Sequence, residues 1–247
     1  MHPDSSSQAG NVVLYLRSAV FFVAMLMSTI LIAPIMWLAF PLRFRVCYGI
    51  AQVWVVFNLW LLKVICGIDH EVQGRENIPD EPSIILCKHQ SAWETIALQR
   101  IFPAQVFIIK RELVWLPFFG WALATCDPIA IDRKAGKTAL RQVVDQGRKR
   151  LESGRWVVIF PEGTRVRAGE VGRYGGGGAV LSKKSGFQVI PVAHNAGKFW
   201  GRNSFLKHPG TVQLRIGKPI SPVNRKSSEI TEAAKTWIEA QMKEIDA

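Results

Sequence analysis

Residues 18–42 carry no charged side chain, and Arg17 and Arg43 bracket the run. At about 25 residues it exceeds the ~20 that a helix needs to cross the hydrocarbon core of a bilayer, and soluble helices rarely stay uncharged for so long. A cleaved signal peptide has a shorter apolar core followed by small residues. Here Pro34, Trp37, Phe40 and Pro41 occupy the far end, so the run reads as an uncleaved membrane helix. A second uncharged run, residues 46–62, follows the short link Arg43-Phe44-Arg45. At about 17 residues it can cross, re-enter or lie under the headgroups, and the two runs together read as a membrane-embedded helical hairpin. Two core helices of a soluble protein are the competing reading. Basic residues flank both ends, so the positive-inside rule sets no orientation. The polar residues 1–10 read as disordered.

A composition shift at residues 67–77 separates this region, 1–66, from a second one, 67–247. Short β-like runs recur there at residues 69–74, 83–87, 106–109, 128–133, 156–160, 189–195 and 211–216, with helical patterns at 91–100, 136–153, 179–185 and 228–245. That alternation predicts an α/β fold, a central sheet flanked by helices. Residues 69–74 read as an edge strand and Trp156-Val157-Val158-Ile159-Phe160 as the clearest core strand. Pro191 within a strand implies an edge or a bulge, and the glycines of residues 172–178 imply a mobile loop.

Residues 133–226 hold 20 Lys/Arg against 4 Asp/Glu, so the partner of this region is anionic. Nucleic acid and a phospholipid surface both qualify. No RNP-type block, zinc-finger spacing or heptad-backed basic region occurs, and the apolar N-terminus favours anionic membrane phospholipids over nucleic acid. Cys47, Cys66, Cys87 and Cys126 are scattered without a C-x-x-C pair, which argues for buried free thiols and against a metal site.

The run Pro82-Ser83-Ile84-Ile85-Leu86 leads into Cys87-Lys88-His89-Gln90-Ser91-Ala92-Trp93-Glu94. A buried strand of this kind delivers His89 into a loop at its carboxyl end, where chemistry is commonly placed. On a regular helix His89 and Glu94 would point about 140° apart, so they meet only if His89 precedes the helix. Ser91-Ala92-Trp93-Glu94 fits the S-x-x-E capping box, which supplies that break. A capping glutamate needs no catalytic role, but its two oxygens allow it to cap and to hold an imidazole.

This block resembles the H-x-x-x-x-D signature of the glycerolipid acyltransferases, the family that includes the 1-acylglycerol-3-phosphate acyltransferases, with Glu94 where aspartate is commoner. Phe160-Pro161-Glu162-Gly163-Thr164-Arg165 is similar to the family's FPEGTR block. Lys110-Arg111-Glu112-Leu113 is similar to its K-x-E-L segment, residues 128–133 to its second block and residues 189–195 to its fourth. The resemblance implies a glycerol-3-phosphate acyltransferase-like fold, His89 and Glu94 as the catalytic dyad, and a phosphate site drawn from Lys110, Arg133, Glu162, Gly163, Thr164 and Arg165, with Pro191 on the acyl-donor side. Glu162, itself anionic, is expected to orient Arg165 or a hydroxyl. No metal or other cofactor is implied.

The implied reaction is acyl transfer from a thioester, of coenzyme A or acyl carrier protein, to the free hydroxyl of lysophosphatidic acid, at the cytoplasmic face of a bacterial inner membrane. No G-x-S-x-G elbow occurs, which favours direct attack over an acyl-enzyme. A Cys87 acyl-enzyme is the lesser reading, since a lone cysteine in an apolar strand is usually packing. Another acceptor, glycerol 3-phosphate or a second lysolipid, and a catalytically silent phospholipid-binding protein are the alternatives.

Overall fold

The uncharged N-terminal runs form two helices, α1 (Ser5–Leu38) and α2 (Phe44–Cys66). The computed structural model describes residues 5–116, 119–132 and 135–246. Helix α1 starts at Ser5, so the polar residues 5–10, read from the sequence as disordered, extend the apolar helix by more than a turn. Both helices are long and apolar enough to cross a membrane. They also lie against the rest of the chain. Near one end of the pair Phe21 packs edge-on to Trp200 and the Lys207 amide donates to the Ser18 hydroxyl; near the other, Trp37 stands beside Trp121. In between, the Gln52 side-chain amide donates to the Gln99 carbonyl at 2.9 Å. Their outward faces expose large apolar side chains, Leu31, Leu38 and Trp60 among them.

Beyond Gly67 the chain alternates strand and helix: β1 (Ile68–Gln73), β2 (Ile84–Cys87), α3 (Trp93–Ile101), β3 (Gln105–Lys110), α4 (Phe119–Thr125), β4 (Ile129–Ile131), α5 (Lys137–Glu152), β5 (Trp156–Ile159), α6 (Gly177–Ser185), β6 (Val189–His194), α7 (Ala196–Phe199), β7 (Gly210–Ile216) and α8 (Ser227–Asp246). The strands form one seven-stranded sheet in the order β1-β7-β6-β2-β5-β3-β4, parallel except between β6 and β7. Strands β2 and β5 are buried at every position, which matches their continuous Ile, Leu and Val content. Strand β1 is an edge strand, as its mixed sequence predicts.

Alternate residues of β2 face different layers. Ile85 and Cys87 join the core under α1, α2 and α3, with Phe21, Leu62, Trp93 and Ile96. Ile84 and Leu86 join the opposite core under α5, α6 and α8, with Val143, Leu181 and Ile230. The parity continues past the strand end and separates Lys88 from His89.

Strand β6 is interior, so of the two readings Pro191 allowed, edge or bulge, the bulge holds: between the Val189–Ile220 bridge and the ladder that begins at Val192–Ile216, residues 217–219 stand opposite 190–191. The detour at residues 217–219 leaves its missing N–H without a ladder position to fill. The glycine run of residues 172–178 is fastened rather than free: the Gly175 amide donates to the Pro161 carbonyl at 2.8 Å, and Gly177 opens α6. A side chain at Gly172 would place a Cβ 2.6 Å from Glu162 Cγ, so glycine here serves close approach.

Candidate active site

The carboxyl ends of β2, β3, β5 and β6 point the same way, and the loops that leave them carry the polar residues the sequence singles out. After β2 ends at Cys87, five residues outside strand and helix precede α3, and His89 stands clear of it. Helix α3 is assigned from Trp93, two residues later than the sequence reading, with Ala92 at the cap position. Ser91 still fastens the first turn: its Oγ accepts the Trp93 amide at 3.1 Å, while Glu94 reaches back to the Ser91 amide at 3.0 Å. The capping box is therefore present one residue out of phase.

Glu94 Oε1 accepts three hydrogen bonds, from the Gln90 and Ser91 amides and from His89 Nδ1 at 2.7 Å. Its side chain is fully buried, and that of His89 is 14% exposed. Burial pushes the Glu94 carboxyl up, but the His89 hydrogen bond, the nearby imidazoles and the Ser91 amide outweigh it and hold the group below its ordinary value. An ionised Glu94 accepts only, so His89 Nδ1 is the protonated nitrogen and Nε2 is free to take a proton. The His89 ring lies flat on Phe160, with centroids 3.9 Å apart and planes 12° apart, which fixes its second axis of orientation.

The Phe160–Arg165 block is tied to the same residue. The Val166 amide donates to the His89 carbonyl at 2.8 Å, and Gly163, at φ +69°, makes the turn that lets the segment double back. Gly163 and Thr164 are exposed, and the Arg165 Nε is buried without a hydrogen-bond partner among the described residues. Lys110 is exposed at the carboxyl end of β3.

Glu162 departs from expectation. It does not reach Arg165; its side chain is fully buried and lies 3.3 Å from the Lys88 ammonium. Side-chain parity explains the turn inward, since Lys88 projects to the α8 face and Glu162 meets it there. Pro191 stands in register with Leu86, three residues short of His89, and lines a separate cleft with Gly217 and Trp237, away from the dyad. Arg133 lies outside the described residues. Asp132 before it pairs with Arg111 at 3.6 Å.

Two contributors escape the sequence reading, Phe160 and Lys88, and a third, His194, stays open there between an ordinary strand-end histidine and a ligand. His194 is fully buried at the end of β6; its Nε2 donates to the Lys88 carbonyl at 2.9 Å and stands 3.8 Å from Glu94 Oε2, while its Nδ1 accepts the Ala196 amide. Burial pushes this imidazole below its ordinary value against the pull of Glu94, so it backs the dyad as a neutral ring. Cys87 is a free thiol whose ionisation burial pushes up strongly, which makes it a poor nucleophile. Among the described residues no group of three or more His, Cys, Asp or Glu could hold a metal ion.

The model of the Acyltransferase family matches residues 69–195 of this chain. The chain is 45% identical over 217 residues to the 1-acyl-sn-glycerol-3-phosphate acyltransferase of Pseudomonas aeruginosa, covering 87% of this chain and 82% of that protein. It is 28% identical over 232 residues to the chloroplastic 1-acyl-sn-glycerol-3-phosphate acyltransferase LPAT1 of Arabidopsis thaliana, covering 88% of this chain and 63% of that one. The crystal structure of the 1-acyl-sn-glycerophosphate acyltransferase PlsC from Thermotoga maritima superposes with a TM-score of 0.81 at 21% identity, covering 96% of this chain and 98% of the other, a likeness of fold.

Proposed function

The chain belongs to the 1-acyl-sn-glycerol-3-phosphate acyltransferase family of glycerolipid acyltransferases, and on that premise we propose that it transfers a fatty acyl group from a thioester to the sn-2 hydroxyl of 1-acyl-sn-glycerol 3-phosphate, giving phosphatidic acid. The observation that carries this reading is the hydrogen bond from the Val166 amide to the His89 carbonyl, which fastens the segment bearing Arg165 to the residue bearing the base. On this reading a phosphate held on Arg165 is bound by the residue next to the one fastened to His89.

The chemistry follows from the dyad. An alcohol is a weak nucleophile at neutral pH, so His89 Nε2 takes the hydroxyl proton as the oxygen bonds to the thioester carbonyl carbon. Glu94 keeps the proton on Nδ1 and stabilises the imidazolium that forms. As the tetrahedral adduct collapses, the carbon–sulfur bond breaks. The thiolate leaves with the bond pair and takes the proton from Nε2, which restores the neutral ring. A thiol has an ordinary pKa of about 8.5, so this departure is the easier half. Arg165, with its planar fork, and Lys110 hold the acceptor phosphate, Gly163 and Thr164 offer it an exposed approach, and Arg133 is expected to join them.

For the acyl chain, an apolar cavity of about 130 Å³ lies between the helix pair and the sheet, lined by Ala33, Met36, Trp54, Val106, Phe107 and Leu123. Phe107 of its lining stacks on Phe160, which in turn covers His89, so one aromatic ring stands between the cavity and the proposed base. Because α1 and α2 pack along the flank of the 67–247 domain, we read them as immersed beside it in the membrane, presenting Leu31, Leu38 and Trp60 to lipid. The site then faces the anionic headgroups at the cytoplasmic surface. The test is release of free thiol from acyl-coenzyme A and, in parallel, from acyl carrier protein by the purified full chain. Release that depends on lysophosphatidic acid supports the reading. Release with glycerol 3-phosphate alone moves the acceptor, and no release with any acceptor refutes the enzyme.

A further inference from the structure

Lys88 is the residue the reaction does not use, and it is the most completely engaged side chain near the site. Its Nζ lies 2.8 Å from Glu239 Oε1 on α8, 3.1 Å from the Glu170 carbonyl and 3.3 Å from Glu162 Oε1, so the ammonium faces three separate segments. The residue is 0% exposed. Its backbone is equally held: the amide donates to the Val192 carbonyl at 3.0 Å, and the carbonyl accepts from His194. Tyr174 donates its hydroxyl to the same Glu239 oxygen at 2.7 Å, which brings the glycine-rich loop into the cluster. Burying a cation with two carboxylates is costly and rarely adds net stability. What the arrangement does supply is a fixed distance between the catalytic strand and the Glu162–Arg165 segment. The Lys88 ammonium, 3.3 Å away, is the cation that faces the buried Glu162 carboxylate.

We propose that Lys88 is a positioning residue: its buried ammonium pins Glu162, Glu170 and Glu239 together and thereby holds Arg165 and Phe160 in register with His89. The proposal rests on the reading that Arg165 receives the acceptor phosphate. It distinguishes Lys88 from a catalytic residue, since the ammonium lies on the α8 face of the strand end while the dyad opens on the other.

Two readouts on the full-length protein test it. The first is amide hydrogen exchange, which needs no substrate. Lys88→Met keeps the aliphatic stem and removes the charge, and the peptide containing Val166 is expected to exchange about tenfold faster while the β5 peptide is unchanged. The second is the split between Michaelis constants: KM for lysophosphatidic acid is expected to rise about tenfold while that for the acyl thioester stays within about twofold. A folded Lys88→Met protein with wild-type exchange at Val166 and an unchanged acceptor KM overturns the proposal. Should that variant not fold, Glu239→Gln, which removes only the α8 arm, decides by the same readouts, with about threefold changes expected and no change overturning it. If the unmodified protein fails to acylate lysophosphatidic acid, the reading under Proposed function falls, while the exchange experiment still decides the role of Lys88.

Discussion

Glu94 and Glu162 have side chains equally sealed from solvent, they flank the same strand end, and their carboxyl groups are driven in opposite directions. Glu94 receives two backbone amides and an imidazole on one oxygen and is held below its ordinary value. Glu162 faces one ammonium, 3.3 Å away and shared with Glu239 at 2.8 Å, and is pushed by burial to about 7. Burial raises both, and the direction is decided by the donors and charges around each. Fixed N–H groups favour the anion, whereas half an ammonium leaves the acid poised. One glutamate is thus suited to sustaining charge opposite a base, and the other to a hold that does not depend on being charged, because either form can accept from Lys88.

The largest effect expected from breaking this contrast is at His89. His89→Ala removes the proton acceptor, and thiol release dependent on the acceptor is expected to fall by about 10²–10⁴-fold. The thermal midpoint should change little, because Glu94 keeps its two amide donors. Retention of more than about a tenth of the turnover would break the assignment of the base.

Glu94→Asp probes the same side more gently. One oxygen now meets three donors within 2.7 to 3.1 Å, and a carboxylate one methylene shorter cannot reach all of them from the same backbone position. A kcat loss of about tenfold with the acceptor KM unchanged is expected, since a carboxylate still faces the ring. Wild-type kcat would show that the loop closes around the shorter acid, and the contrast with Glu162 would then rest on the amides alone.

How far this contrast is legible in the sequence depends on the range of the contacts. The strands, the break between His89 and α3, and the approach of Glu94 to His89 are local: they follow from apolar runs, the S-x-x-E pattern and five residues of separation. The partners of Lys88 are 82 and 151 residues away at Glu170 and Glu239, and no periodicity announces them. Parity along β2 was the available clue, since a lysine between Cys87 and His89 must face the layer opposite to His89 and needs a counter-charge there. Phe160 reads as the last residue of a core strand, and only the register of β2 beside β5 shows that its ring meets the imidazole. Pro191 left edge and bulge open, and only the pairing of β6 with the residues after β7 shows that it sits opposite a bulge.

The smallest effect isolates Glu162 itself. Its folded-state value lies above its ordinary 4.5, so its contribution to stability is complete below that value and is lost as pH rises through about 7. Glu94 has the opposite sign: its contribution is present above its ordinary value and is lost on acidification. Glu162→Gln keeps a carbonyl for Lys88 and removes the titration. The thermal midpoint of this variant relative to the unmodified protein should therefore be higher at pH 8 than at pH 5, by about 3 °C. A difference that is flat across that window would mean that Glu162 is ionised throughout, paired with Lys88 as tightly as Glu94 is with its amides, and the two buried glutamates would be alike in charge, differing only in what they hold.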